Sequence, residues 1–75
     1  MAFPIRAYSL SRGTIRVEGV AVGDRVSVYR TDGIMAGQGI ASSTTEDVSA
    51  NVSTVAIVKV ERDGKTIAVK KIRVD

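Results

Sequence analysis

Residues able to do acid–base or nucleophilic chemistry are scarce in this chain of 75 residues. It contains no histidine and no cysteine, so the commonest catalytic base and the most reactive nucleophile are both missing. Asp24, Asp32, Asp47 and Asp63 each stand beside glycine or in a polar stretch, where aspartate side chains commonly accept hydrogen bonds from turn amides. The sequence therefore predicts turn-forming aspartates and no enzyme activity.

Metal and phosphate ligands are equally sparse. Without cysteine or histidine there are no soft metal ligands, and the only adjacent acids, Glu46 and Asp47, lack the repeated spacing of a calcium loop. Residues 37–39 read Gly-Gln-Gly, but no helix is predicted after them to offer its N-terminus to an anion, so a bulge in a strand is the better interpretation. We expect no cofactor and no metal, with calcium at Glu46-Asp47 as the open alternative.

The charge pattern also argues against nucleic acid. The net charge is +3 and the isoelectric point is about 9.7, yet a nucleic-acid face would interleave basic residues with exposed aromatic ones. The chain has only Phe3, Tyr8 and Tyr29 for that purpose, and Tyr29 is expected to pack against a cross-strand neighbour. We expect no nucleic-acid partner.

One basic cluster stands out near the end of the chain. Lys70, Lys71 and Arg73 have only Asp75 as a nearby acid. The cluster could meet an acidic partner, or its charges could be solvated on an edge strand, where they discourage aggregation. The sequence leaves both interpretations open.

Alternation of apolar and polar residues predicts the elements that position these side chains. Residues 14–18 put Ile15 and Val17 on one face, and residues 25–30 do the same with Val26 and Val28. Gly23-Asp24 suits a tight turn, so these two segments are predicted to form a hairpin. A further strand is predicted near residues 5–10.

The middle of the chain alternates between turn and strand signals. Asp32-Gly33 favours a hairpin turn into a strand that begins at Ile34-Met35. Residues 42–47 are polar and predict an exposed connection. A short apolar stretch begins again at Val48.

The last third of the chain carries the strongest strand signal. Residues 54–60 form the most continuous apolar run and predict a central strand covered on both faces. Residues 62–65 form a turn. Beyond it, Ile67 and Val69 share one parity while Ile72 and Val74 share the other, which predicts a bulge or bend at Lys70-Lys71.

Six or seven short strands joined mainly by hairpins predict an all-β domain, a compact antiparallel immunoglobulin-like β-sandwich, with a small barrel as the alternative. A length of 75 residues corresponds to one domain. No segment is apolar and long enough to span a membrane, and residues 1–6 lack the apolar run of a signal peptide. We therefore expect a module of a longer protein.

Several segments resemble a known family. Residues 26–33 resemble the valine-rich strand, tyrosine and Asp/Asn-Gly turn of the C-terminal sorting domains of Bacteroidetes type IX secretion cargo. Val48-Ser49 is similar to the short strand before the family's last hairpin, residues 57–60 to its hydrophobic-Val-Lys-Val strand, and Gly64 to its turn. Residues 70–74 resemble its basic, apolar ending, and the likeness covers roughly residues 14–75.

The resemblance implies a seven-stranded sandwich at the end of a larger exported protein. An outer-membrane secretion machine reads such domains, which carry cargo through the periplasm to the cell surface. Recognition would then fall on Lys70, Lys71, Ile72, Arg73 and Val74. The alternative is a binding or spacer module of a surface protein, docking on a neighbouring domain, a protein or a glycan, or pairing with another copy through edge strands.

Overall fold

A computed structural model describes residues 4–74, and within that range the chain forms seven β-strands and no helix. No helix in this range could therefore cross a membrane. The strands are β1 (Arg6–Ser11), β2 (Thr14–Glu18), β3 (Arg25–Tyr29), β4 (Met35–Ile40), β5 (Thr45–Ser49), β6 (Thr54–Arg62) and β7 (Lys65–Val74).

The strands form two antiparallel sheets, one with the order β1-β2-β5 and the other with the order β4-β3-β6-β7. Strands that are not consecutive in the chain, β2 with β5 and β3 with β6, pair at the centre of each sheet. This is the arrangement of an immunoglobulin-like sandwich. The predicted all-β sandwich is confirmed, and the two separate sheets distinguish it from a barrel.

The core lies between the sheets and is built from small aliphatic side chains. Alternate residues of the central strands point inward, and each buried valine or isoleucine contributes about 1.5–3 kcal/mol relative to an exposed one. The largest fully buried aliphatic residues are Ile15, Val17, Val26, Val28, Val48, Val58 and Val60. The inward positions predicted for β2 and β3 are among them.

The predicted hairpin between β2 and β3 is wrong, because these strands lie in opposite sheets. Residues 19–24 cross from one sheet to the other, and the amides of Gly19 and Val20 both donate to the Thr44 carbonyl, at 2.9 and 3.3 Å. Gly19 has a φ of +86°, and a Cβ on it would collide with the Pro4 carbonyl. The alternation of apolar and polar residues is the same whether two strands pair within one sheet or pack face to face in two sheets, so it could not exclude the hairpin.

The predicted hairpin at Asp32-Gly33 is confirmed. Gly33 has a φ of +89°, the Asp32 carboxylate accepts a hydrogen bond from the Ile34 amide at 3.1 Å, and the Arg30 amide donates to the Ile34 carbonyl at 2.8 Å. Strand β4 itself begins at Met35.

The irregularity predicted at residues 37–39 lies one residue earlier. Val28 pairs with Gly37 and Tyr29 with Met35, so Ala36 is the extra residue of the bulge. The glycines have a different role. A Cβ on Gly37 would run into the Ser49 carbonyl of β5, so glycine is needed where β4 and β5 pack closely.

The exposed connection predicted over residues 42–47 is shorter than expected, since β5 starts at Thr45. The outward residues of β5 are polar because they pair with residues of β2 on the sheet surface. Arg16 of β2 donates two hydrogen bonds to Asp47, at 2.8 and 3.0 Å. A polar strand face and a loop have similar composition.

Strand β6 is central to its sheet, as predicted, but only one of its faces is fully covered. Ala56, Val58 and Val60 are buried, whereas the residues between them are half-buried. On that outer face, the Lys59 ammonium lies 5.6 Å from the centre of the Tyr29 ring. This contact provides the cross-strand packing expected for Tyr29.

The predicted turn between β6 and β7 is confirmed, with Asp63 and Gly64 at φ +54° and +78°. The bulge predicted at Lys70-Lys71 is wrong. Val60 pairs with Ala68 and Glu61 with Thr66, so the extra residue is Ile67 and the register runs unbroken past Lys70.

Candidate recognition site

Strand β7 forms one edge of the four-stranded sheet. Within residues 4–74 it pairs with β6 on one side and with no strand on the other, and β1 of the opposite sheet lies close to it. Ten residues of β7 give an edge about 33 Å long. Unpaired backbone N–H and C=O groups along such an edge can accept a strand from another polypeptide.

The structure divides the five predicted recognition residues into two groups. Lys70, Lys71 and Arg73 are exposed, whereas Ile72 is half-buried and Val74 is only 6% exposed. Ile72 lies opposite Ala56, and both residues belong to the core region. The three cations are accessible to a partner, and the two apolar residues hold β7 on the sandwich.

The cations lie on different faces of β7. Lys71 and Arg73 alternate with the core positions and lie on the outer face, opposite Ile57 and Val55 of β6. Lys70 lies opposite the buried Val58 and therefore occupies a core-facing position. The sequence signal for this was the shared parity of residues 70, 72 and 74, which the predicted bulge concealed.

Lys70 occupies a core-facing position but is exposed, because it lines a groove. The groove, of about 610 Å³, opens between β7 and the crossing segment 19–24. We call it the β7 groove; its lining includes the apolar residues Ile5, Val20, Val22, Ile67 and Ala68 and the cations Arg62 and Lys70. Val22 is 74% exposed and Ile67 is 40% exposed, so the groove presents apolar surface to water.

An ion pair between the half-exposed Arg62 and the buried Asp24 forms part of the wall of the β7 groove. The Arg62 guanidinium donates two hydrogen bonds to the Asp24 carboxylate, at 2.9 and 2.8 Å, and the Ala21 amide donates a third at 2.9 Å. The Asp24 side chain is 2% exposed. Hydrogen bonding from Arg62, with help from the Ala21 amide, lowers the pKa of Asp24 although burial opposes the shift.

Asp24 therefore does more than the turn chemistry predicted for it. It does form a turn, since its amide donates to the Ala21 carbonyl at 3.0 Å. Its carboxylate also ties the crossing segment to the end of β6. No local sequence signal pairs residues 38 positions apart, so the ion pair could be found only from the structure.

The charge of β7 is not compensated by its neighbours. The ion pairs within residues 4–74 are Arg16–Asp47, Arg30–Asp32, Lys59–Glu61 and Arg62–Asp24. None involves the four cations of β7, which are Lys65, Lys70, Lys71 and Arg73. Asp75, the acid expected near them, lies outside the described residues.

The acids proposed as an alternative calcium site do not converge. Glu46 and Asp47 are adjacent in β5 and so point to opposite faces. Asp47 is held by Arg16, which lowers the pKa of that carboxyl. Within residues 4–74 no three acidic side chains form a group able to hold a metal ion.

Comparisons with known proteins identify the fold. No protein-family model matches the sequence, and no curated protein sequence matches it significantly. Among solved structures, the chain superposes on the Arg-specific cysteine proteinase gingipain R (RgpB) with a TM-score of 0.77, at 23% identity over 96% of this chain. It also superposes on the complex of Porphyromonas gingivalis RgpB pro- and mature domains, with a TM-score of 0.76, at 24% identity over 96% of this chain.

Both matches cover 18% of the other chain. This sandwich thus recurs as a small part of a much longer polypeptide, and the likeness concerns the fold.

Proposed function

We propose that this chain is a non-catalytic C-terminal sorting or anchoring module that directs an exported protein to the cell surface. Its recognition element is β7, which presents Lys70, Lys71 and Arg73 to the outer-membrane secretion machinery. The observation that carries the proposal is the exposed basic edge formed by these side chains, none of which makes an ion pair within residues 4–74.

Two further observations support the proposal. The same fold occurs within a longer proteinase chain from Porphyromonas gingivalis, a member of the Bacteroidetes, the phylum whose sorting domains the sequence resembles. A role in recognition also suits the chemistry of the chain, because Asp24 and Asp47 each accept two hydrogen bonds from an arginine. Neither is free to act as a general base.

An export assay tests the proposal. A fluorescent reporter carries a periplasmic signal peptide at its N-terminus and residues 1–75 at its C-terminus, and is expressed in a Bacteroidetes host with type IX secretion. The informative variant reverses two exposed charges, Lys71→Glu with Arg73→Glu. Deleting β7 would be uninformative, because that removes Ile72 and Val74 from the core.

The matched control reverses two exposed charges elsewhere, Arg12→Glu with Arg25→Glu. We expect the wild-type and control reporters to reach the surface or medium and the β7 variant to stay in the periplasm, folded. Equal export of the β7 variant and the control would contradict the proposal.

A second candidate function is a docking or spacer module of a surface protein. It is favoured by Ile34 and Met35, adjacent large apolar residues that are 56% and 45% exposed at the start of β4, since neighbouring exposed apolar side chains mark contact surfaces. A wild-type reporter that folds but remains in the periplasm would favour this function over sorting.

A further inference from the structure

We propose that β7 binds an extended segment of a partner polypeptide as an added strand, and that Lys70 selects a segment with a carboxylate facing the β7 groove. The inference rests on the proposed role of β7 in recognition and adds the chemistry of the partner. It concerns direct binding, which can be measured apart from export.

The position of Lys70 is the first step. It lies opposite Val58, which has no exposed surface, yet its own side chain is exposed and lines the β7 groove. An inward-pointing charge on an edge strand is a device that prevents indiscriminate strand pairing. A strand added beside β7 would cover this ammonium, and desolvation without a counter-charge is unfavourable.

The alternation of β7 then defines the added strand. Its inward side chains would lie beside Ala68, Lys70 and Ile72. Those beside Ala68 and Lys70 would enter the β7 groove, where Val22 and Ile67 supply exposed apolar surface. Every second residue of the segment would therefore read apolar, acidic, apolar. Its outward side chains would meet Val69, Lys71 and Arg73, which also favour an acidic segment.

A second copy of this chain is a poor occupant of the same edge. Strand β7 carries four cations and no acid, so an antiparallel β7–β7 pair would bring eight cations into one two-stranded contact. Like charges facing each other across strands are destabilising, and such repulsion selects against the wrong partner. Charge complementarity thus favours an acidic segment of a different polypeptide.

The test uses the whole chain and synthetic peptides with blocked ends. The probe is the heptapeptide Thr-Val-Thr-Glu-Thr-Val-Thr. One comparison peptide has glutamine in place of glutamate. The other keeps the glutamate but has proline on each side of it, which removes the amides needed for strand pairing. Binding is followed by amide chemical shifts and by hydrogen exchange of β7.

We expect the glutamate peptide to bind about tenfold more tightly than the glutamine peptide and to slow exchange of amides along β7. The variant Lys70→Met keeps the aliphatic stem and removes the charge, so it should bind the glutamate and glutamine peptides with about equal affinity. Lys65→Met removes a charge from the same strand outside the β7 groove and should leave the preference unchanged.

Four results would overturn the inference. They are the absence of binding by the glutamate peptide, equal binding of the glutamate and glutamine peptides, equal binding of the proline peptide, and an unchanged preference in Lys70→Met. Equal binding of the proline peptide would indicate attraction of any polyanion to the basic edge. The two tests are separable. If the glutamate peptide does not bind as expected but the Lys71→Glu, Arg73→Glu reporter is not exported, the sorting function is supported and strand addition to β7 is not.

Discussion

The two sides of the sandwich differ in how the sheets meet. At the β4–β5 side, glycine in place of a side chain lets the sheets approach, because a Cβ on Gly37 would strike the Ser49 carbonyl. At the β7 side, β1 of the other sheet also lies close to β7, but beside the crossing segment 19–24 a groove opens that is lined by exposed apolar residues and by Lys70. The first side is closed by backbone packing, whereas the β7 side keeps an open, charged groove at one end. The difference indicates where the domain is built for stability and where it is built for contact.

The largest effect is expected from obstructing the closed side. Gly37→Ala would force β4 and β5 apart, and overpacking of this kind costs about 1–3 kcal/mol of the free energy of unfolding. That is a large share of the stability of a domain this small. Urea unfolding measures the loss.

Gly33→Ala is the control for Gly37→Ala. It introduces a Cβ at a positive φ but into open space, so it should cost only about 1 kcal/mol. If Gly33→Ala proves the more damaging of the two, the close approach of β4 and β5 is not what holds this side together.

Acid should weaken the wall of the β7 groove. The pKa of Asp24 is lowered in the folded state by Arg62, so its contribution to stability is present above its unfolded pKa of about 3.9 and is lost as the pH falls through its folded pKa. The urea midpoint should therefore drop from about pH 5 downward. Asp47, lowered by Arg16, acts in the same direction but is more exposed and contributes less.

Asp24→Asn isolates that contribution. It should be less stable than wild type at pH 7 and lose less stability between pH 5 and pH 3. A pH profile for Asp24→Asn parallel to that of wild type would show that other carboxylates cause the acid sensitivity.

Neutralising the open side should change association rather than stability. Lys70→Val removes the inward charge that opposes pairing of β7 edges. We expect self-association to strengthen at least tenfold, as measured by sedimentation equilibrium. Lys65→Val provides the comparison, and equal self-association in both variants would mean that Lys70 has no special role.

The smallest effect on stability is expected from reversing charges on the outer face of β7. Lys71 and Arg73 are exposed and make no ion pair within residues 4–74. The variant with both charges reversed should therefore melt within about 2 °C of wild type. A much larger drop in Tm would show that these side chains stabilise the sandwich.

The strands were predictable because alternation reports directly on burial. Ile15, Val17, Val26 and Val28 were expected to face the core and do so. The Asp32-Gly33 turn was also predicted, since its signal lies within a few residues. Local patterns thus gave the strands and most turns of this small sandwich.

Pairing and register were harder to predict. The β2–β3 crossing depends on contacts of residues 19–24 with Thr44, far along the chain. The bulge was predicted at Lys70-Lys71 from the change of parity after Val69, whereas the extra residue is Ile67 and Val69 is 59% exposed. The face of β7 on which Lys70 lies could not be predicted for the same reason, since it follows from the register between β6 and β7.

The most direct test of the central claim is crosslinking from β7 during export. Because the chain has no cysteine, single cysteines from Lys71→Cys or Arg12→Cys can each carry a thiol-linked photocrosslinker in the reporter. The account predicts that the probe at position 71 captures an outer-membrane component of the secretion machinery and that the probe at position 12 does not. Equal capture from both positions, or none from position 71 while the reporter is exported, would contradict the assignment of β7 as the recognition element.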